Sequence, residues 1–135
     1  MNNPIFVAVD AMGGDNSPKK IIEGIKLHAN SSDNVFYKIF GNHELIYPLI
    51  KEYDLSKKRF EIIHTNDVVE GEDTALSAAK RGKKTSLWLA IESLKNDKAQ
   101  AIVSAGNTGA LFLISKLNLK MVENIDKPAL AALWP

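Results

Sequence analysis

Two short stretches hold most of the side chains in this sequence that can do chemistry. One is DAMGGD, Asp10 to Asp15; the other is SAGNTGA, Ser104 to Ala110. In the second, Gly106 and Gly109 let the backbone turn sharply and let a ligand approach the main chain. A helix starting near Asn107 or Thr108 would present free N–H groups and the positive end of its dipole, which suits an anion such as phosphate. Ser104, Gly106, Asn107, Thr108 and Gly109 are therefore candidate phosphate-binding residues. A tight turn capped by Asn107 or Thr108 explains the same pattern. It is neither G-x-G-x-x-G nor a Walker A loop.

The first stretch is of another kind. Gly13 and Gly14 suit a turn with positive φ, and with Asp15 they extend the candidate binding set. Asp15 and Asn16 also suit capping of the following helix. Asp10 would repel phosphate, so it is expected to orient a hydroxyl, an amine or a basic side chain, with Lys83 or Thr108 as the partner. Two carboxylates can hold Mg²⁺, but no third acidic ligand stands nearby in sequence. No metal and no cofactor are expected. Lys80, Arg81, Lys83 and Lys84 form a basic run that could meet phosphate or an acidic partner, or simply face solvent. His64 ends an apolar run and could serve as acid, base or donor, or as an ordinary hydrogen-bonded residue. Asp10, Lys83 and His64 are the candidate catalytic side chains. Trp88 and Trp134 are expected in the core.

These residues need a scaffold that brings separate turns together. Short apolar runs at Ile5 to Val9, Val35 to Phe40, Phe60 to His64, Ala101 to Val103 and Pro128 to Trp134 read as strands. Between them lie helical patterns. The first is capped by Ser17 with Pro18 at its first position and runs to about Asn30. The second covers about Glu44 to Tyr53, with Pro48 bending it or delaying its start. Others cover Ala75 to Arg81, Leu87 to Lys95 capped by Thr85 or Ser86, and the run after Asn107. Strand–helix alternation predicts an α/β fold with a mainly parallel, doubly wound sheet. Ligands in such sheets sit beyond the carboxyl ends of the strands, near a switch in strand order. The first and fourth strands are the expected neighbours there.

Composition narrows the class. The chain has 135 residues, 17 Lys plus Arg against 16 Asp plus Glu, a formal net charge of +1 and no cysteine. Thiolate metal sites and disulfides are excluded, and the charge balance does not call for nucleic acid. No apolar run reaches the ~18–20 residues of a membrane span, and the first ten residues lack a signal-peptide pattern. The expected location is cytoplasmic. Because the chain closes on a strand-like run with no helix to cover it, it reads as the N-terminal portion of a longer protein.

Together, VAVDAMGGD, IIHTNDVVE, KRGKKTSLWLAI, VSAGNTGAL and DKPALAALWP, in this order and spacing, resemble the bacterial phosphate acyltransferase family of phospholipid synthesis, PlsX. The resemblance covers essentially residues 1–135 as the N-terminal portion of a single domain whose C-terminal half is absent. It implies a three-layer fold similar to the isocitrate/isopropylmalate dehydrogenases and phosphotransacetylases. It also implies the reaction: inorganic phosphate attacks the thioester of a long-chain acyl group on acyl carrier protein, giving acyl phosphate. The family's partners would be acyl carrier protein and phosphate, with a homodimer and peripheral membrane association in the full-length protein. Two departures are visible. Ala75 stands where the family often has proline, and Thr85-Ser86 where it has a serine pair. Rival readings are a dehydrogenase of similar fold, for which the arginine cluster and acidic metal ligands are missing, and a phosphate- or metabolite-binding module without catalysis. The fragment alone is expected to be inactive.

Overall fold

The computed structural model describes residues 3–134. In chain order its elements are β1 (Ile5–Asp10), α1 (Lys19–Ser31), β2 (Val35–Gly41), α2 (His43–Glu52), β3 (Phe60–His64), α3 (Ala75–Arg81), α4 (Ser86–Lys95), β4 (Ala101–Ser104) and α5 (Thr108–Asn118). The four strands are all parallel, in the order β3-β2-β1-β4. From β1 the chain steps through β2 to β3, then crosses back and sets β4 on the opposite flank of β1. The strand order thus reverses between β1 and β4, and Asp10 and Ser104 are partners in register there.

Period-2 alternation in the strands builds both faces. Val7 and Val9 of β1, Tyr37 and Ile39 of β2 and Ile62 of β3 pack with Ile22 and Ile25 of α1 and with Ile46 and Ile50 of α2. On the other face, Phe6 and Ala8 of β1 and Phe40 of β2 meet Leu89, Ala90 and Leu94 of α4. Beside α4, Ala78 of α3 and Ala110 and Ile114 of α5 close a third apolar cluster around Leu87 and Ile91. Ile22, Ile39, Ile46 and Ile91 are fully buried. Each contributes roughly 1.5–3 kcal/mol relative to exposure.

Three local expectations need correction. Ser17 does not cap α1: Pro18 occupies the cap position without a side-chain bond, and the Ser17 hydroxyl donates back to the Gly13 carbonyl. Asp15 and Asn16 do not supply a side-chain cap either. Pro48 does not delay α2, which starts at His43 with Asn42 as cap and runs through the proline. Pro48 is exposed, so the carbonyl it leaves unpaired faces water, where the loss is small. Residues 128–134 form no strand, and Leu130, Leu133 and Trp134 are exposed. A strand requires a hydrogen-bonded neighbour, and among the described residues β4 pairs only with β1. Trp88, in contrast, is buried in the cluster around α4.

Candidate functional site

The site is built around the carboxylate that ends β1. Asp10 shares its strand face with Phe6 and Ala8, so it points toward α4. Thr85 caps that helix by accepting from the Trp88 N–H, which leaves Ser86 as the first helical residue. The Ser86 hydroxyl donates to Asp10 Oδ1 at 2.7 Å. Ser104, across the β1–β4 ladder, donates to Oδ2 at 2.8 Å. The Met12 N–H adds a longer bond to Oδ1 at 3.3 Å. Ser104 Oγ in turn accepts from the Gly106 N–H at 3.2 Å. Asp10 is 2% exposed, and among the described residues no Lys, Arg or His nitrogen lies within 4.0 Å of it. A buried carboxylate without a cation persists only where hydrogen bonds and dipoles replace its hydration. Here two hydroxyls, a peptide N–H and the positive end of α4 do so.

The two glycine turns touch each other through their backbones. A β-carbon on Gly13 would stand 2.6 Å from Asp10 Oδ2 and 3.0 Å from the Gly106 Cα. Gly14 has φ +90°, and a β-carbon there would meet the Ala105 carbonyl oxygen at 2.4 Å. Glycine is therefore required by contact at Gly13, and by both contact and conformation at Gly14.

Above this contact lies an open polar cleft of about 360 Å³, lined in part by Met12, Gly14, Asp15, Glu70, Gly106 and Asn107. The N-terminus of α5 forms one wall. Asn107 caps it, accepting from the Ala110 N–H at 2.9 Å. Its amide donates to the carbonyls of Gly71 at 3.2 Å and Asp73 at 2.7 Å. One side chain thus joins the helix start to the loop over residues 70–74. That loop is held from its far end as well. Asp73 receives the Arg81 guanidinium at 2.7 Å, the Ser77 hydroxyl and the Glu70 N–H. The Arg81 bond, followed by the Glu70 N–H, holds the Asp73 carboxyl below the ordinary carboxylate range, and the pairing raises Arg81.

Comparison with known proteins decides the family. The family model described as fatty acid synthesis protein matches residues 5–135. The chain belongs to the fatty acid synthesis protein family. A relative from Pelagibacter ubique (strain HTCC1062), named phosphate acyltransferase, is 62% identical over 135 residues, covering 100% of this chain and 40% of the relative. Proteins of the same name from Parvibaculum lavamentivorans and Rhodospirillum rubrum are 42% and 38% identical, over 136 and 135 residues. Each match covers 100% of this chain, and 38% and 39% of those relatives. The chain therefore spans about two-fifths of the length of the curated relatives it matches.

For this member of the fatty acid synthesis protein family, the structure gathers some of the expected side chains and leaves others apart. Asp10, Gly13, Gly14, Ser104, Gly106 and Asn107 converge where the strand order reverses. Thr108 and Gly109 are exposed in the first turn of α5, and Asp15 is exposed on the cleft wall. The partners of Asp10 differ from the expected Lys83 or Thr108: they are hydroxyls, from Ser86 and Ser104. Lys83 is exposed and makes no ion pair among the described residues, whereas its neighbour in the basic run, Arg81, is bound to Asp73. His64 lies at the end of the edge strand β3, two strand spacings or ~10 Å from β1. Its Nδ1 accepts from the His43 N–H at 3.1 Å. Ser86 reads in the sequence only as an alternative helix cap, and its bond to Asp10 does not show there. The signal was the Thr85-Ser86 pair: when the first residue caps a helix, the second starts it and can reach the strand ends beneath.

Proposed function

We propose that the chain is the phosphate-holding part of a phosphate acyltransferase, which makes acyl phosphate from inorganic phosphate and a long-chain acyl thioester of acyl carrier protein. The observation that carries this reading is the meeting of the two glycine turns in register at the strand-order switch, beside the first turn of α5. Whole-chain similarity to proteins named phosphate acyltransferase supports it. In this reading phosphate sits against the N–H groups of Thr108 and Gly109, where the helix terminus stabilises negative charge. Gly106 allows it to approach the main chain, and the exposed Lys83 side chain is the candidate cation for it.

The chemistry asked of such a site is modest. A phosphate oxygen attacks the thioester carbon, a C–O bond forms and the C–S bond breaks. The thiolate leaves with the electron pair and later takes a proton. A thiolate is a good leaving group, so positioning and electrostatics carry the step. Asp10 takes no part as a phosphate ligand. It holds Ser104, which holds the Gly106 peptide. His64, on the far side of β2, has no assigned step. The carrier protein, a homodimer and peripheral membrane attachment belong to the same reading through the family resemblance. Among the described residues no helix is long and apolar enough to cross a membrane.

The test is acyl phosphate formation by the complete gene product from acyl-[acyl carrier protein] and phosphate, trapped as the hydroxamate. Phosphate-dependent product supports the reading. Phosphate binding without product would leave a binding module, and NAD reduction without product a dehydrogenase.

A further inference from the structure

Asp10 presents a difficulty that the proposed chemistry does not remove. The buried Asp10 carboxylate packs against Gly13, which touches Gly106 in the lining of a cleft meant for an anion. The charge is tolerable to phosphate only if it is held by donors on the side away from the cleft. Ser86 is the donor that comes from that side. It sits on α4, 1% exposed, and reaches back 76 residues to Oδ1.

We infer that Ser86 is a positioning residue for phosphate: its hydroxyl keeps the Asp10 charge turned toward α4 and so preserves the Ser104–Gly106 link that shapes the cleft floor. This rests on the phosphate reading given above. A carboxylate offers about four acceptor sites, and Asp10 has three donors. Without Ser86, Oδ1 keeps only the 3.3 Å bond from Met12. An undersatisfied buried carboxylate must find other donors. The glycine turn packed against Oδ2 offers peptide N–H groups, and that turn borders the cleft. Turning toward them brings the charge nearer the anion and releases Ser104 from its present geometry. Both changes weaken phosphate binding. Both act on the phosphate side of the site.

Ser93 provides a control. It is buried in the same helix, and its hydroxyl has no hydrogen-bond partner among the described residues. The experiment compares Ser86→Ala, Ser93→Ala, Asp10→Asn and the Asp10→Asn/Ser86→Ala double variant in the complete gene product. It reads KM for phosphate, KM for the acyl donor, and calorimetric binding of inorganic phosphate alone. Ser86→Ala is expected to raise phosphate KM severalfold, with a clearly smaller change in the acyl-donor KM. Ser93→Ala should change neither. With the charge gone, adding Ser86→Ala to Asp10→Asn should cost phosphate binding much less. Should Ser86→Ala not fold, Ser86→Cys keeps the side-chain volume with a weak donor and carries the same expectation. Equal shifts in both KM values, or an unchanged phosphate KM, overturn the inference, as does an undiminished effect of Ser86→Ala in the Asp10→Asn background. Ser86-dependent phosphate binding by a protein that makes no acyl phosphate would sink the proposed reaction and keep the inference. Acyl phosphate formation indifferent to Ser86 would do the reverse.

Discussion

The carboxyl ends of the four strands form two unlike pairs. At β2 and β3 the ends are closed by their own loops. The Asn42 amide donates to Asn66, and the His43 N–H donates to His64, all of them at or near the surface. At β1 and β4 the ends carry a buried carboxylate, two buried or half-buried hydroxyls and two glycine turns in backbone contact. The β1 and β4 loops meet at the strand-order switch, where β1 is followed by α1 on one face and β4 by α5 on the other, and a cleft opens above their contact. One sheet end thus offers both a sealed edge and a binding crevice, and in the second the glycines are needed because backbone meets backbone.

Substitutions can break that contrast. The largest effect is expected for Gly13→Ala, because the new methyl would stand 2.6 Å from Asp10 Oδ2 and 3.0 Å from the Gly106 Cα. Overpacking of this kind costs about 1–3 kcal/mol, and the displaced carboxylate adds to it. Melting should fall by several degrees and acyl phosphate formation should be nearly lost. A variant that melts and turns over like the wild type would show that the turns are not in contact.

Asn107→Ala comes next. It removes a helix cap worth about 1 kcal/mol together with both bonds to the loop over residues 70–74. Faster hydrogen exchange in that loop and a severalfold higher phosphate requirement are expected. Higher phosphate requirement with an unchanged loop would make Asn107 a direct ligand instead of a clamp.

A smaller effect tests the far end of the same loop. The Asp73 carboxyl is held low by Arg81, so the pair stabilises the fold above the unfolded carboxylate value of about 3.9. It loses that contribution as pH falls through the lower folded value. The melting difference between wild type and Arg81→Ala should be constant from neutral pH down to about 4 and then close. A difference that widens in acid would reverse the assignment. His64→Ala should do least: one exposed hydrogen bond is worth about 1 kcal/mol or less, and product formation should persist. Loss of turnover with unchanged melting would extend the site across all four strand ends.

Much of this was legible in the sequence. The strand and helix order from β1 to α5 follows from apolar periodicity, cap chemistry marks the helix starts while leaving Thr85 or Ser86 and Asn107 or Thr108 open, and the β1–β4 neighbourhood follows from the common strand order of doubly wound sheets. The Ser86 bond to Asp10 was not legible, because a serine at a helix start is common and its partner lies 76 residues earlier. The Asn107 clamp escaped for the same reason, its carbonyl partners being 34 and 36 residues away. The run Pro128 to Trp134 has strand-like residues but no paired neighbour among the described residues, and composition alone does not supply one. Ser17 looked like a cap, but its hydroxyl serves the glycine turn beneath it.

The sequence distances around Asp10 also bear on how the molecule folds. Its two hydroxyl donors come from residues 76 and 94 positions later, whereas β1, α1 and β2 lie close together in the chain. Contacts that close long loops form late, since their entropic cost must be met before they reward it. Until Ser86 and Ser104 arrive, Asp10 is a bare carboxylate that resists dehydration. Its burial is fully compensated only once both α4 and β4 have docked. Ser86→Ala should speed unfolding and leave the refolding rate unchanged. A slowed refolding in stopped-flow measurements would move this contact into the nucleus.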